Sequence, residues 1–90
     1  MAEKHVEEKL RIGVKEKGGR AYKFVSPGNQ GVPDRIVLLP GGVIDFIELK
    51  DKGKKPTALQ LNQHTKLRAL GFNVLVIDSK EGVDEYLASR

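Results

Sequence analysis

The amino-acid sequence predicts an α/β fold in which one mixed sheet is flanked by helices, in the order α-β-β-β-α-β-α. An apolar stripe at helical spacing near the start of the chain is the first observation that predicts it. The second is a pair of β-branched runs around a Pro-Gly-Gly turn, typical of an antiparallel hairpin. The third is a helix bounded by a threonine and a glycine, followed by another apolar run. At 90 residues, we expect one domain that spans residues 1–90.

The first helix is predicted from Glu3 to Lys17, because its apolar residues recur at four-residue intervals. These apolar residues are Val6, Leu10 and Val14. Two glycines, at positions 18 and 19, end the helix, as glycine commonly does at a helix C-terminus.

Three strands are predicted next. Ala21 to Val25 forms a short strand, and Ser26 to Pro33 forms a loop because two prolines and two glycines fall within eight residues. Arg35 to Leu39 and Val43 to Leu49 form the hairpin around the turn at residues 40–42. The nearly continuous apolar character of the two hairpin strands predicts that both faces are covered.

The second half of the chain is predicted to alternate helix, strand and helix. Thr57 opens a helix that runs to Leu70, with Gly71 as its cap. Asn73 to Ile77 reads as a buried strand, and Ser79 can begin a last helix. The apolar residues of that last helix are Val83, Tyr86 and Leu87.

Composition limits the class of protein. Sixteen basic against twelve acidic residues give a net charge of +4, and the pI of about 9.5 suggests a polyanionic partner. The absence of cysteine excludes a disulfide scaffold, a cysteine-ligated zinc site and a cysteine nucleophile, and it fits a reducing cytoplasm. No apolar run approaches the roughly 20 residues that span a bilayer, and the charged N-terminus indicates no signal peptide. A chain this small has a limited core, so a homodimer is plausible.

The hairpin register decides whether two acidic residues meet. If residues 40–42 form a three-residue loop, Leu39 pairs with Val43, and counting back places Asp34 opposite Glu48. Lys50 follows Glu48 by two residues and therefore points to the same face. A two-residue loop would instead put the two acids on opposite faces.

Two carboxylates about 4–5 Å apart repel each other by roughly 1 kcal/mol in water and by several at lower dielectric. Lys50 supplies one compensating charge, and a hard divalent ion would supply more. The alternative is structural: Asp34 caps a turn after Pro33, while Glu48 and Lys50 form a solvated strand end.

A third acid is expected from the first helix. Glu7 lies on the stripe that faces the sheet, whereas Glu8 falls about 100° away and should be solvated. Glu3, one turn earlier, could take the place of Glu7. The alternative role of Glu7 is to interact with the helix dipole.

Gln60 admits two interpretations. It completes a capping box with Thr57, which explains both residues without a function. It could also hold a water molecule or a phosphate oxygen at the edge of a site. His64, one turn further along, is assigned no role, and neither is His5.

Taken together, three segments resemble the motifs of VRR-NUC domains, which are minimal members of the PD-(D/E)xK nuclease superfamily. The segments are Gly31-Val32-Pro33-Asp34, Ile47-Glu48-Leu49-Lys50, and Gln60 placed eleven residues before Gly71. The resemblance extends from about residue 3 to residue 77 and implies a restriction-endonuclease-like core.

The resemblance implies a metal-dependent, structure-selective DNA endonuclease, with Holliday junctions as one candidate substrate. Asp34, Glu48 and the backbone carbonyl of Leu49 would bind Mg²⁺ or Mn²⁺. Lys50 would orient the attacking water or help to deprotonate it. Glu7 would bind a second metal or a water molecule of the first, and Gln60 would support the site.

The basic residues around the site are expected to bind the DNA backbone without reading sequence. They are Lys23, Arg35, Lys52, Lys54 and Lys55, with Arg20 nearby. The alternatives are a nuclease for flaps or other branches, and a non-catalytic nucleic-acid-binding module on the same fold. We expect a homodimer in the cytoplasm of a bacterium or a phage-infected host, with no membrane partner and no nucleotide cofactor.

Overall fold

The computed structural model describes residues 4–90, and the elements of this range follow the predicted order. The boundaries of both hairpin strands and of the last strand are as predicted. The helices are α1 (Lys4–Glu16), α2 (Ala58–Ala69) and α3 (Lys80–Ala88), and the strands are β1 (Arg20–Lys23), β2 (Arg35–Leu39), β3 (Val43–Leu49) and β4 (Asn73–Ile77). Glu3, the alternative helical acid, lies outside the described residues.

The four strands of the described range form one mixed sheet in the order β1-β2-β3-β4. β1, β2 and β3 are antiparallel neighbours, and β4 is parallel to β3 because α2 carries the chain back across the sheet. Leu39 pairs with Val43 and Arg35 pairs with Ile47, so the turn is the three-residue loop on which the register argument depends.

One face of the sheet carries the main core. α1 and α3 pack together against this face, and all three apolar residues predicted for the stripe of α1 are buried. The buried cluster consists of Val6, Leu10, Val14, Val37, Ile47, Leu49, Ile77, Val83 and Tyr86.

The opposite face is only partly covered, because α2 packs mainly along β4. The expectation that the hairpin strands are buried on both faces holds for β3 from Asp45 onward and is wrong for its start. Val43 and Ile44 are each 38% exposed. None of the helices within residues 4–90 is long and apolar enough to cross a membrane.

β1 ends two residues earlier than predicted, at Lys23. The next backbone amide, that of Phe24, still donates to the carbonyl of Asp34 at 2.9 Å. The chain then leaves the sheet, because the glycines and prolines that follow do not support a strand.

A buried carboxylate in the middle of β3 ties the end of α3 to the sheet. Asp45 is fully buried, and its Oδ2 accepts hydrogen bonds from the Tyr86 hydroxyl and Arg90 Nε, each at 2.6 Å. Its Oδ1 accepts from Arg90 Nη2 at 3.1 Å and from Asn73 Nδ2 at 3.2 Å. Burial alone would raise the pKa of Asp45, but these bonds and the charge of Arg90 lower it below the ordinary value.

Removing the guanidinium of this network should destabilise the fold. Arg90→Ala leaves the Asp45 carboxylate buried without its main cation, so we expect the free energy of unfolding to fall by about 3 kcal/mol in urea denaturation at pH 7. Adding Asp45→Asn should recover part of the loss, because no charge then remains buried. The control is Arg11→Ala, since Arg11 pairs with Glu8 at 3.9 Å on the surface and should contribute about 0.5 kcal/mol or less. A loss in Arg90→Ala no larger than that of the control would contradict the argument.

Candidate functional site

The register of the hairpin brings two carboxylates together at one end of the sheet. Asp34 precedes β2 and continues the pairing of Arg35 with Ile47, so it lies opposite Glu48. The Asp34 carboxylate crosses to the neighbouring strand, where its Oδ2 accepts a hydrogen bond from the backbone amide of Leu49 at 2.8 Å. The two acids therefore share a face, as the three-residue turn predicted.

A glycine in the preceding loop allows that loop to lie against the first turn of α2. Gly31 has a φ of +89°, and a Cβ at this position would lie 2.7 Å from the carbonyl oxygen of Leu59. A side chain here would therefore be strained and would also meet helix backbone. The close approach joins the segment that leads into Asp34 to the helix that carries Gln60.

Glu48 is enclosed by polar side chains from its own strand and from α2. It is 1% exposed. Lys50 Nζ lies 3.7 Å from Glu48 Oε2, and Gln60 Nε2 donates to the same oxygen at 3.3 Å. The other oxygen, Oε1, lies 3.5 Å from Nε2 of His64 and has no hydrogen-bond partner among residues 4–90.

This environment favours the protonated form of Glu48. Burial and the neighbouring Asp34 carboxylate raise the pKa of Glu48 to about 8, and the Lys50 ammonium offsets only part of the effect. Near neutral pH the pair therefore retains a proton. The site has two acids but too little positive charge to keep both ionised.

Gln60 forms the capping box that the sequence predicted, and its side chain also contacts Glu48. Its Oε1 accepts from the backbone amide of Thr57 at 2.9 Å, and the Thr57 hydroxyl accepts from the Gln60 amide, which completes the capping box. The same side chain uses Nε2 to reach Glu48. Because the cap fixes the Gln60 side chain, it also fixes the donor that faces the acid.

Glu7 faces the sheet as predicted, and it forms an ion pair with Arg35. Arg35 also donates to the carbonyl of Ala21 at 3.1 Å and is 9% exposed. The sequence predicted Arg35 as a contact to the DNA backbone. The structure buries most of its side chain at the wall of the cavity and pairs its charge with Glu7. β2 alternation explains this, since Arg35 shares the core face with Val37.

The predicted site residues line one open cavity of about 690 Å³. Both helical and sheet residues contribute, and the lining residues are Lys4, Glu7, Lys23, Phe24, Val25, Asp34, Arg35, Glu48, Leu49, Lys50 and Gln60.

The predicted DNA contacts Lys52, Lys54 and Lys55 are exposed on the loop after β3. The amide of Gly53 in that loop donates to Asp78 at 3.0 Å, so the loop is anchored beside the carboxyl ends of β3 and β4.

The donor set suits a hard divalent cation. No group of three or more acidic, histidine or cysteine side chains within residues 4–90 could hold a metal ion. Two crowded carboxylates remain, one of them with an unpartnered buried oxygen. Mg²⁺ commonly uses one or two protein carboxylates together with water and substrate phosphate, so this pair fits such an ion.

The sequence analysis assigned His64 no role, and the structure places it against Glu48. A signal for this contact was present, because His64 follows Gln60 by four residues and therefore shares its helix face. Alternation along β2 places Arg35 on the face of Val37, but no local pattern identifies its partner, since Glu7 is distant in sequence.

Two comparisons with known proteins find relatives that cover most of the chain. A protein of Acyrthosiphon pisum secondary endosymbiont phage 1, named "Putative nuclease p44", is 53% identical over 79 residues, which is 88% of this chain and 85% of that protein. A solved structure described as a VRR_NUC domain is 36% identical, with a TM-score of 0.89 over 93% of this chain and 91% of its own. No family model matches the chain.

In the metal-free protein, Glu48 should make the fold less stable as the pH rises. The pKa of Glu48 is about 8 in the folded protein against an ordinary 4.5, so the folded state binds this proton more tightly than the unfolded state. The stability that this gives is complete below pH 4.5 and is lost as the pH rises through 8. Burial lowers the pKa of His64, so this residue makes the free energy of unfolding rise with pH, but only below its ordinary pKa of 6.5. Between pH 6.5 and 8 we therefore expect the free energy of unfolding to fall by about 1.5 kcal/mol.

Urea denaturation in the presence of a chelator measures this slope. Glu48→Gln keeps the shape and removes the titrating group, so its stability should be nearly constant in the same interval. A wild-type protein as insensitive to pH as this variant would contradict the burial and repulsion assigned to Glu48.

Proposed function

The chain belongs to the VRR-NUC family, and from this premise and its carboxylate pair we propose that it is a divalent-metal-dependent endonuclease that cuts branched DNA. The observation that carries the proposal is the pairing of Asp34 with buried Glu48 at the end of β2 and β3, with Lys50 at 3.7 Å. The nuclease name of the phage relative supports the same reaction class.

Asp34, Glu48 and the Leu49 carbonyl would hold one Mg²⁺ or Mn²⁺. The direction of the Leu49 carbonyl follows from the alternation of backbone groups along β3. Lys50 donates its amide to Ile77 of β4 at 3.0 Å, so the amide and carbonyl of Leu49 point the other way. The Leu49 amide meets Asp34 there, and its carbonyl points to the same side.

A bound divalent ion would polarise the phosphodiester, lower the pKa of water and stabilise the leaving oxygen. Water adds to phosphorus as one P–O ester bond breaks, which yields a phosphate monoester and an alcohol. The Lys50 ammonium lines the cavity in which the phosphate would bind. There it orients the attacking water and offsets the negative charge of the phosphate. The chain needs no covalent intermediate.

Glu7 contributes to the wall of the cavity. The guanidinium of Arg35 already supplies positive charge beside this carboxylate, which favours a site with one metal ion over a site with two. Gln60 supports Glu48 through its Nε2 donor.

Substitutions in the site should abolish cleavage and leave the fold intact. Lys50→Ala removes the ammonium that offsets phosphate charge, and Asp34→Asn removes a metal ligand, so we expect cleavage to fall by about 100-fold or more in each. The assay is Mg²⁺-dependent cutting of labelled DNA, and circular dichroism checks the fold. Lys15→Ala, at an exposed position in the last turn of α1, is the matched control. Variants that cut as well as the parent would refute the assignment.

The surface around the cavity suits a DNA backbone. Lys23 lines the cavity, and the exposed lysines of the loop after β3 extend the positive charge beyond it. Contacts of this kind bind phosphates without reading bases, so we propose that DNA shape selects the cleavage point. Holliday junctions and flaps are both candidate substrates. A phage-infected bacterial cell is the proposed setting, in agreement with the phage origin of the relative.

A panel of labelled DNA substrates tests this selectivity. Junction, flap, nicked and linear duplexes of the same sequence, each with Mg²⁺, Mn²⁺ or EDTA, should show cutting of branched forms in either metal and none in EDTA. Changing the sequence around the branch should leave the rate nearly unchanged. Equal cutting of linear duplex would refute structure selectivity, and salt-sensitive binding without turnover would indicate a non-catalytic module.

A homodimer would give a two-fold symmetric junction two sites. The partly covered sheet face supports this proposal, because Tyr22, Ile44 and Phe72 are 55%, 38% and 37% exposed around buried Phe46. Sedimentation velocity should show a dimer for the wild type and a monomer for Ile44→Glu. Ile12→Glu, at an exposed position of α1, is the control and should remain dimeric. A monomeric wild type that cuts both strands of a junction symmetrically would refute the dimer.

A further inference from the structure

The buried histidine of α2 is explained neither by the fold nor by the cleavage reaction described above. Within Ala58–Ala69, His64 is the only buried residue. Neither of its ring nitrogens has a hydrogen-bond partner in the described part of the chain. Leucine or methionine would fill a similar volume without removing two polar atoms from water. The histidine therefore costs stability where it lies.

The unpartnered histidine faces an unpartnered acid oxygen. His64 Nε2 lies 3.5 Å from Glu48 Oε1, and neither atom has a hydrogen bond within residues 4–90. One helical turn earlier, Gln60 Nε2 donates to the other oxygen of the same carboxylate at 3.3 Å. Gln60 and His64 thus lie four residues apart on one face of α2, and each lies beside a different oxygen of Glu48.

The two unpartnered atoms are chemically complementary. A neutral imidazole carries one N–H, and a carboxylate oxygen is an acceptor. His64 Nε2 can therefore donate to Glu48 Oε1, an oxygen that receives no other hydrogen bond within residues 4–90.

We infer that His64 is a positioning residue of the cation site. Its Nε2–H donates to Oε1 of Glu48 while Gln60 holds Oε2, so that α2 fixes the orientation of the carboxylate toward the cation. The inference rests on the proposed function, because that function is what assigns a cation to Glu48.

Calorimetric titration of the protein with Mn²⁺, in the absence of DNA, tests the inference without an activity assay. His64→Leu removes the donor, so we expect Mn²⁺ to bind about 10- to 100-fold more weakly. His64→Gln places an amide N–H near the position of Nε2 and should restore an affinity close to that of the wild type. His5→Leu alters the exposed histidine of α1 and should leave the affinity unchanged.

Thermal unfolding in EDTA separates positioning from packing. His64→Leu should unfold at the same temperature as the wild type or higher, because an apolar side chain replaces unpartnered nitrogens. Should this variant fail to fold, His64→Met allows the same comparison. A merely structural histidine would give the reverse pattern, with lower stability and unchanged Mn²⁺ affinity.

The outcomes distinguish this inference from the function on which it rests. If the wild type binds no Mn²⁺, both are overturned. If the wild type binds and His64→Leu binds equally well, or if His64→Gln is as weak as His64→Leu, the positioning role alone is overturned. Weakened binding in His64→Leu with recovery in His64→Gln is the expected result.

Discussion

The site depends on one electrostatic constraint: two carboxylates meet where the surroundings do not neutralise them. Asp34 is held by the amide of Leu49, and Glu48 is buried behind it with one oxygen unpartnered among the described residues. Lys50 brings a positive charge close to Glu48, with its Nζ 3.7 Å from Glu48 Oε2. Burial and repulsion from Asp34 raise the pKa of Glu48 to about 8, so the pair keeps a proton near neutral pH. A divalent cation would displace that proton, so metal binding should be coupled to proton release.

Three local features of the fold hold Asp34 and Glu48 beside each other: the turn between β2 and β3, the glycine at 31 and the cap of α2. A three-residue turn sets the pairing of β2 with β3, and the pairing determines that residues 34 and 48 share a face. The glycine at 31 lets the preceding loop touch the first turn of α2. The capping box of α2 then aims Gln60 at Glu48. Local turn chemistry thus fixes both sides of the site, which explains how a chain of 90 residues can build it.

Local patterns carried most of the sequence prediction. The hairpin strands, the last strand and the shared face of the two acids followed from alternation and turn length, which depend on neighbouring residues alone. The ion pair of Arg35 could not be predicted in this way, because its partner Glu7 comes from a separate element brought close only by packing. The burial of both hairpin faces was overestimated, because the sequence does not specify how much of the sheet one short helix covers. The spacing of His64 from Gln60 indicated a shared helix face, but it did not identify Glu48 as the residue that His64 contacts, because Glu48 lies on a strand.

β3 contains two buried carboxylates, Asp45 and Glu48, and the contrast between them supports the proposed role of Glu48. Asp45 receives hydrogen bonds from Tyr86, Arg90 and Asn73, and its pKa is lowered despite burial. The fold can therefore satisfy a buried acid completely. Three residues later in the same strand, Glu48 is left with a raised pKa and an unpartnered oxygen facing His64. Because packing alone does not require this deficit, the contrast between the two acids supports the proposed cation site at the Glu48 end of the sheet.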